Sequence, residues 1–169
     1  MMSTKNKRLI LDKDRIEQTI RRIAYQIYEN NIKAKKLAVV GIGDQGYELG
    51  ARFVSELKII DPKLNVDHFK VELDKIQPKG TVELIAKPNA LKDKSVVLVD
   101  DVLNTGKTMA FSLMALLEAE AAQIEIAVLV DRGHRYYPVS ATFSGLQLST
   151  TLEEHIEVLL GDSPAVYLY

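Results

Sequence analysis

Residues 96–108 read VVLVDDVLNTGKT, and this stretch decides the fold. The apolar run 96–99 is typical of a strand that is buried on both faces. Asp100 and Asp101 follow it, and a polar loop then leads to a helix that is predicted from about Thr108. Polar side chains between a buried strand and a helix are typical of the ligand edge of an α/β sheet.

The rest of the chain repeats this alternation of short apolar runs with amphipathic stretches. Apolar residues at helical spacing predict helices, and continuous or alternating apolar runs predict strands. The alternation predicts an α/β fold with a mostly parallel, Rossmann-like sheet flanked by helices. The predicted helices are 14–31, 47–57 and 108–122, and the predicted strands are 37–42, 66–73, 82–85, 96–99 and 124–130, with a loop at 43–46.

Composition excludes several classes of protein. Of the 169 residues, 47% are hydrophobic and 27% are charged, which is ordinary for a globular domain. The net charge of −1 gives no chain-wide attraction for nucleic acid or membranes, and the lack of cysteine excludes disulfides, thiolate zinc sites and cysteine nucleophiles. No apolar run approaches the roughly 20 residues of a membrane helix, and no signal-peptide pattern is present. We therefore expect a cytoplasmic protein without a membrane partner.

The loop that follows 96–99 has the chemistry of a phosphate site. It supplies backbone N–H groups, threonine hydroxyls, the Lys107 ammonium and a helix N-terminus, which together suit a phosphate dianion. Gly106 lets the backbone approach the phosphate closely. Asp100 and Asp101 would repel that anion, so they suit the hydroxyl groups of a sugar or a divalent cation. A ligand with a phosphate at one end and a diol nearby is a ribose 5-phosphate.

Two other interpretations of this loop fit less well. A P-loop needs a glycine five positions before the glycine of Gly-Lys-Thr, and Asp101 stands there. A polar loop in which Thr105 or Thr108 merely caps a helix leaves the paired acids at the end of a buried strand as an unexplained cost.

Several segments resemble those of a known family. Residues 96–108 resemble the phosphoribosyl pyrophosphate (PRPP) motif of type I phosphoribosyltransferases. Residues 127–141, AVLVDRGHRYYPVSA, together with RIEQTIRRIAYQI at 15–27 and LAVVGI at 37–42, resemble the bifunctional pyrimidine-operon attenuator and uracil phosphoribosyltransferase family. The resemblance covers nearly the whole chain and is strongest at 96–139.

This resemblance implies a fold, an activity and partners. It implies one type I phosphoribosyltransferase domain over 1–169, with a core at about 9–138 and a small hood formed by about 139–169 with the N-terminal segment. Family enzymes use Mg²⁺ and transfer phosphoribose from PRPP to a nucleobase, here expected to be uracil, giving UMP and pyrophosphate. A homodimer or larger homo-oligomer is expected. The alternative function is a nucleotide- or PRPP-sensing regulator, such as an RNA-binding attenuator, with weak or lost transferase activity.

The resemblance also assigns roles to residues. Asp100 and Asp101 match the acids that hold the ribose 2- and 3-hydroxyls, and they would reach Mg²⁺ through the ribose. The 5-phosphate loop corresponds to Leu103, Asn104, Thr105, Gly106, Lys107 and Thr108. The pyrophosphate loop corresponds to Gly43, Asp44, Gln45 and Gly46, and the base-binding segment within 144–150 corresponds to Ser144, Gly145, Leu146 and Gln147.

The chain departs from the family pattern at four places. The pyrophosphate loop has Asp44 and Gln45 where the family carries threonine and arginine, and an acid there opposes a pyrophosphate anion. Asn104 stands where related attenuators carry tyrosine and purine enzymes often carry aspartate, and an amide cannot act as a general base. The segment 144–150 lacks the family's lysine. The stretch 74–81 lacks the family's arginine, which a lysine of that stretch would replace.

A basic turn follows the predicted strand 124–130. In the resembled family this region takes part in subunit association and RNA contact, so Arg132, His134 and Arg135 are candidates for an RNA or subunit interface. The alternative is a structural turn whose arginines pair with carboxylates of a neighbouring subunit.

Overall fold

The computed structural model describes residues 6–74 and 82–169. Within these residues the chain forms three helices, α1 (Lys13–Asn30), α2 (Gly43–Ile60) and α3 (Lys107–Glu118). The same residues form nine strands, which are β1 (Arg8–Leu11), β2 (Leu37–Ile42), β3 (Val66–Glu72), β4 (Glu83–Ile85), β5 (Ser95–Leu103), β6 (Gln123–Asp131), β7 (Phe143–Gln147), β8 (Ile156–Leu159) and β9 (Ala165–Leu168). The lysines predicted to replace the family's arginine in 74–81 lie outside the described residues.

The main sheet has six strands in the order β4-β3-β2-β5-β6-β7. Neighbouring strands from β3 to β7 pair in parallel, and β4 pairs with β3 in the antiparallel sense. The predicted α/β fold with a mostly parallel sheet is therefore confirmed. From β3 and β4 the chain crosses to the other side of β2, so the direction of winding reverses between β2 and β5. Open α/β sheets bind ligands at such a reversal.

Helices cover both faces of the main sheet. Ile23 of α1 and Phe53 of α2 are fully buried in the core on one face, and Leu116 of α3 is fully buried on the other. Every residue of β2 is buried, as its continuous apolar run predicts. In the parts of the chain that the structure describes, no helix has the length and apolar character needed to cross a bilayer.

A second, antiparallel sheet has the strand order β1-β9-β8, and we refer to it as the hood sheet. It combines the N-terminal segment with residues from 156 onward. β7 lies outside this sheet and pairs in parallel with β6 of the main sheet. The Arg22 guanidinium of α1 donates to the carbonyls of Ser144 and Gly145 at 3.3 and 2.8 Å, which ties β7 to the core.

Helix α2 begins at Gly43, so the predicted loop at 43–46 is wrong. The φ of Gly43 is +60°, a left-handed conformation that lets the chain turn from β2 directly into the helix. Asp44 lies in the first turn, where backbone N–H groups have no helical partner and a carboxylate is favourable. The two glycines favoured a loop because glycine is a poor helix former. The residues predicted to bind pyrophosphate therefore form the first turn of a helix.

Strand β5 continues to Leu103, so Asp100 and Asp101 lie within the strand and not in a loop. Asp100 is in register with Val128, and Leu103 with Asp131, in the parallel ladder between β5 and β6. Acidic residues are depleted in strands, which is why the sequence pattern predicted an earlier end. The ladder with β6 overrides that preference and fixes the backbone that carries both acids.

Candidate functional site

A cavity of about 380 Å³ opens at the carboxyl end of β5. Residues 100–109 line it, together with Arg132, His155 and Ile156. The structure thus brings the acids predicted for the ribose and the loop predicted for the 5-phosphate around one space. That space lies where the winding of the main sheet reverses, which is the position expected for a ligand.

The two acids are held against the backbone of their own strand. Asp100 is only 4% exposed, and its Oδ1 accepts a hydrogen bond from the Asp101 N–H at 3.0 Å. The Oδ1 atom of Asp101 accepts one from the Val102 N–H at 2.9 Å. These bonds orient both carboxyl groups at the cavity wall. Neighbouring carboxylates in such a wall favour a ligand that brings hydroxyl donors or a cation.

The loop between β5 and α3 presents donors to the same cavity. Gly106 has a φ of +87° and precedes the first residue of α3. The Lys107 N–H is 3.3 Å from the Thr105 Oγ1, which is a long hydrogen bond. Further N–H groups in the first turn of α3 have no helical partner, and that turn carries Lys107 and no acidic residue. An anion is therefore the ligand that this loop suits best.

Arg132 and His134 of the basic turn (131–135) hold the loop that precedes β8. The Arg132 guanidinium is buried and donates to the Thr150 Oγ1 at 2.5 Å and to the Thr151 carbonyl at 2.8 Å. The His134 Nε2 lies 2.6 Å from the Thr150 carbonyl oxygen. These contacts hold the loop before β8 against the basic turn. His155, at the end of that loop, and Ile156, the first residue of β8, line the main cavity.

Arg135 instead contacts the loop between β5 and α3. Its guanidinium pairs with Asp131 at 2.5 Å and donates to the Asn104 carbonyl at 2.5 Å. The three residues predicted for an RNA or subunit interface thus make contacts within their own chain. The structural alternative expected carboxylates of a neighbouring subunit, whereas the carboxylate that pairs with Arg135 belongs to the same turn.

The first turn of α2 lies directly against β5. A Cβ atom added to Gly46 would come within 2.6 Å of the Val99 carbonyl oxygen and 3.5 Å of the Asp100 Cα. Glycine is therefore the residue that allows this close approach. Of the residues predicted for pyrophosphate, Gly46 thus packs beside Asp100, but none of residues 43–46 is among the described residues that line the main cavity. Gly43 and Asp44 line a separate cavity of about 380 Å³ with Lys70 and Glu72.

Asp44, the acid predicted to oppose a pyrophosphate anion, has a cationic partner on β3. The Lys70 Nζ is 2.7 Å from the Asp44 Oδ1 and 2.7 Å from the Glu72 Oε1. The hydrogen bond from Lys70 lowers the pKa of Asp44, and the bonds to both acids raise the pKa of Lys70. Sequence reasoning missed Lys70 because it lies 26 residues from Asp44 and meets it only through the pairing of β2 with β3.

The segment predicted to bind the base lies apart from the main cavity. Among the described residues that line that cavity, none comes from 144–147. Gln147 lines a separate cavity of about 230 Å³ beside the basic turn. The hood side of the main cavity is formed instead by His155 and Ile156, which sequence reasoning did not assign to the site. Nothing in their local pattern marks them, because the fold of the hood brings them there.

The described residues contain no group of three or more His, Asp or Glu side chains that could hold a metal ion by themselves. Asp100 and Asp101 provide carboxylate oxygens, which are the ligands that Mg²⁺ prefers. A cation at this position would need further oxygens from the bound ligand.

A family model described as the phosphoribosyl transferase domain matches residues 8–160. The chain belongs to the type I phosphoribosyltransferase family. Among its relatives, the bifunctional protein PyrR of Macrococcus caseolyticus is 37% identical over 175 residues and spans 96% of this chain and 99% of its own length. The bifunctional protein PyrR of Deinococcus radiodurans is 35% identical, over 95% of this chain and 91% of its own length. The family resemblance seen in the sequence is thereby confirmed.

Solved structures confirm the type I phosphoribosyltransferase fold. A hypoxanthine-guanine phosphoribosyltransferase from Bacillus anthracis aligns with a TM-score of 0.70 at 17% identity, covering 83% of this chain and 82% of that one. A hypoxanthine phosphoribosyltransferase from Staphylococcus aureus aligns with a TM-score of 0.71 at 17% identity, covering 85% and 79%. At this identity the likeness shows the fold alone.

His68 is a half-buried titratable group of this phosphoribosyltransferase outside the main cavity. Its ring stacks on Tyr47 of α2, with 4.1 Å between the ring centroids and 5° between the planes. Its Nε2 is buried and has no hydrogen-bond partner among the described residues. Burial lowers the pKa of His68, and the Tyr47 backbone and the Glu48 charge offset part of that effect. The folded phosphoribosyltransferase therefore favours the neutral imidazole.

This environment predicts a loss of stability in mild acid. Because folding lowers this pKa, the unfolded chain binds more protons below about pH 6.5, so His68 reduces the free energy of unfolding there and contributes nothing above it. His68→Phe keeps a ring on Tyr47 without a titrating group. Between about pH 7.5 and about pH 5, the urea midpoint should fall less for His68→Phe than for the unaltered protein. Equal falls in the two proteins would contradict this assignment, and replacement of the exposed His155 by Phe serves as the control.

Proposed function

We propose that this protein transfers phosphoribose from PRPP to a nucleobase, with uracil as the first candidate, and releases pyrophosphate. The observation that carries the proposal is the single cavity in which Asp100, Asp101 and the loop 103–108 meet at the reversal of the main sheet. A carboxylate pair beside an anion-binding loop suits the diol and phosphate of one ribose 5-phosphate.

Each arm of PRPP then has a place around this cavity. The 5-phosphate binds the N–H groups of the loop 103–108 and the Lys107 ammonium, and Asp100 and Asp101 accept hydrogen bonds from the ribose hydroxyls. The pyrophosphate arm extends toward the first turn of α2, since Gly46 packs beside Asp100. The base occupies the side formed by His155 and Ile156. Catalysis in this arrangement rests on positioning the base nitrogen and C1 of the ribose.

The carboxylates of Asp100 and Asp101 fit a role for Mg²⁺. They would act on the ion through the ribose: the hydroxyl groups that they hold would ligate Mg²⁺ together with oxygens of the pyrophosphate. Bound there, Mg²⁺ supplies positive charge that stabilises pyrophosphate as a leaving group.

The identity of the base that this chain accepts is the more specific part of the proposal. The family resemblance favours uracil, and the relatives named above are bifunctional PyrR proteins. The solved structures of similar fold are hypoxanthine enzymes. Purified protein should be assayed with PRPP, Mg²⁺ and radiolabelled uracil, hypoxanthine or guanine. Formation of labelled UMP supports uracil transfer. Label in a purine nucleotide would show that the purine is the substrate. If no base yields a nucleotide, the result contradicts transferase activity.

A second candidate function is a regulator that senses PRPP or a nucleotide. The observation that favours it is the negative charge of Asp44 in the first turn of α2, which would oppose a pyrophosphate anion bound at that turn. Such a protein would bind UMP in the cavity without turnover. We also propose that the protein binds RNA, forms a homo-oligomer and is located in the cytoplasm. A gel retardation assay with and without UMP tests the RNA partner, and Arg132, His134 and Arg135 are the residues to vary first.

The pair Asp44–Lys70 makes a directional prediction for the transferase. Asp44→Asn removes a negative charge beside the pyrophosphate arm and releases Lys70 from one of its partners. One charge at about 4 Å in water-like surroundings is worth about 1 kcal/mol, so the KM for PRPP should fall about fivefold. Steady-state kinetics measure this change.

The matched control is Asp67→Asn. Asp67 lies on β3, and this variant also removes one negative charge. Asp67 pairs with Lys94 at 2.5 Å and is in register with Ala38, near the opposite end of the sheet. This variant should leave the KM for PRPP unchanged. If Asp44→Asn raises the KM instead, the carboxylate assists binding and our placement of the pyrophosphate arm is wrong.

A further inference from the structure

We propose that Arg135 is a positioning residue that aims the backbone N–H groups of the 5-phosphate loop into the cavity. This inference rests on the proposed function, because it assigns a cause to the shape of the phosphate site. It also gives the basic turn a role that differs from an RNA or subunit interface.

The basic turn and the residues after it hold consecutive carbonyl groups of the phosphate loop. The Arg132 N–H donates to the Leu103 carbonyl at 2.9 Å. The Arg135 Nη1 donates to the Asn104 carbonyl at 2.5 Å. The Thr105 carbonyl accepts hydrogen bonds from the N–H groups of Tyr136 and Tyr137, which follow the basic turn, at 2.9 and 3.1 Å. The carbonyl oxygens of residues 103–105 are thus all held by hydrogen bonds from the basic turn and the residues after it.

The geometry of the peptide bond then determines where the N–H groups of the same peptides point. In a trans peptide the carbonyl oxygen and the following N–H point in opposite directions. Carbonyls of 103–105 that point at the basic turn therefore direct the N–H groups of 104–106 away from it. Those residues line the cavity. The turn and the phosphate would then bind opposite edges of the same peptides.

Arg135 is the one member of this set that acts through its side chain, so a substitution can remove the bond to Asn104 and leave the backbone contacts to Leu103 and Thr105 in place. The Arg132 and tyrosine contacts use backbone N–H groups, which substitution leaves in place. The guanidinium of Arg135 is fixed by an ion pair with Asp131 at 2.5 Å and by donation from Nε to the Val139 carbonyl at 2.8 Å. A planar guanidinium can make these bonds together with the one to Asn104, and a lysine ammonium cannot match that fork.

The chain contains a closely matched control in Arg52. Its guanidinium pairs with Glu48 four residues away at 3.2 Å and donates to the carbonyl of Leu160, as Arg135 pairs with Asp131 and donates to Asn104. Arg52 contacts no residue of the phosphate loop in the described structure. Arg52→Met therefore removes the same kinds of bond at a place unconnected with the 5-phosphate.

The test compares Arg135→Met, Arg135→Lys and Arg52→Met in the full chain. Calorimetry measures the Kd of ribose 5-phosphate and of inorganic pyrophosphate, and kinetics separate the KM for PRPP from kcat. We expect Arg135→Met to weaken ribose 5-phosphate and raise the KM about tenfold or more, with pyrophosphate binding and kcat within about threefold of the unaltered protein. Arg135→Lys should lose less, and Arg52→Met should match the unaltered protein.

The outcomes separate this inference from the proposed function. No binding of PRPP or ribose 5-phosphate by the unaltered protein overturns the proposed function. Binding by the unaltered protein and equally by Arg135→Met overturns the positioning role alone. A parallel loss of both ribose 5-phosphate and pyrophosphate affinity, or loss of the fold in both Arg135 variants, also overturns it, because Arg135 would then support the domain generally.

Discussion

Replacing Asp100 and Asp101 together by asparagine is expected to lower kcat/KM for PRPP about 100-fold or more. The amides keep the size of the side chains but remove the charge that strengthens hydrogen bonds from the ribose hydroxyls. A hydrogen bond to a charged group contributes about 1.5–3 kcal/mol, so losing two of them corresponds to at least two orders of magnitude. Steady-state kinetics with PRPP and the preferred base measure the loss.

The thermal midpoint provides an independent check on this double variant. Asparagine keeps the size of each side chain, and its amide oxygen can accept the backbone N–H bonds that Asp100 and Asp101 accept. We therefore expect a nearly unchanged Tm alongside the lost activity. Asp93→Asn, at an exposed turn before the same strand, is the control and should alter neither quantity. Activity retained within about threefold in the double variant would mean that the ribose does not bind these acids.

Gly41→Ala is expected to cause the largest loss of stability. A Cβ atom at Gly41 of β2 would lie 2.3 Å from the Tyr47 Cα and 2.4 Å from the Gly46 carbonyl oxygen. Both atoms are backbone, so α2 would have to move away from β2 to make room. Overpacking a rigid core costs about 3 kcal/mol in unfavourable cases, and we expect at least that loss in the free energy of unfolding.

Urea denaturation measures the effect of Gly41→Ala, with Gly161→Ala as its control. No atom of the described structure lies within 4 Å of a Cβ at Gly161, so that variant should change the free energy of unfolding by less than about 0.5 kcal/mol. A loss below about 1 kcal/mol in Gly41→Ala would show that α2 can shift on β2 at little cost.

The parts of the site that could be predicted from sequence are those carried by one continuous stretch. Asp100, Asp101 and the loop to Thr108 stand next to one another in the chain, and a buried strand before a helix determines which edge of the sheet they occupy. No long-range contact is needed to recognise that chemistry. The structure accordingly places them around one cavity.

The other features depend on contacts between distant residues. Arg135 lies 31 residues from Asn104, and Lys70 lies 26 residues from Asp44. Their pairing follows from the order of strands in the sheet, which no local pattern records. His155 reaches the cavity because the hood folds toward it. Long-range geometry decides these positions, so the residue types alone indicate only that cations and a histidine are present.

The boundary errors have a different physical origin. Local preference places a loop at Gly43 and a strand end before Asp100, because glycine disfavours helices and acids disfavour strands. In the fold, the tight turn after β2 needs the glycine, and the ladder with β6 continues past the acids. Tertiary contacts therefore outweigh local preference at the two junctions where the site is formed.

The pairing of β1 with β9 has a consequence for the order in which the molecule is assembled. Arg8 is in register with Leu168, so this sheet joins segments from opposite ends of the sequence. Closing so long a loop is entropically costly and is postponed until shorter loops have closed. A newly made chain can therefore complete the loop between β5 and α3 well before the hood sheet exists, and the side of the cavity formed by His155 and Ile156 is the last to form.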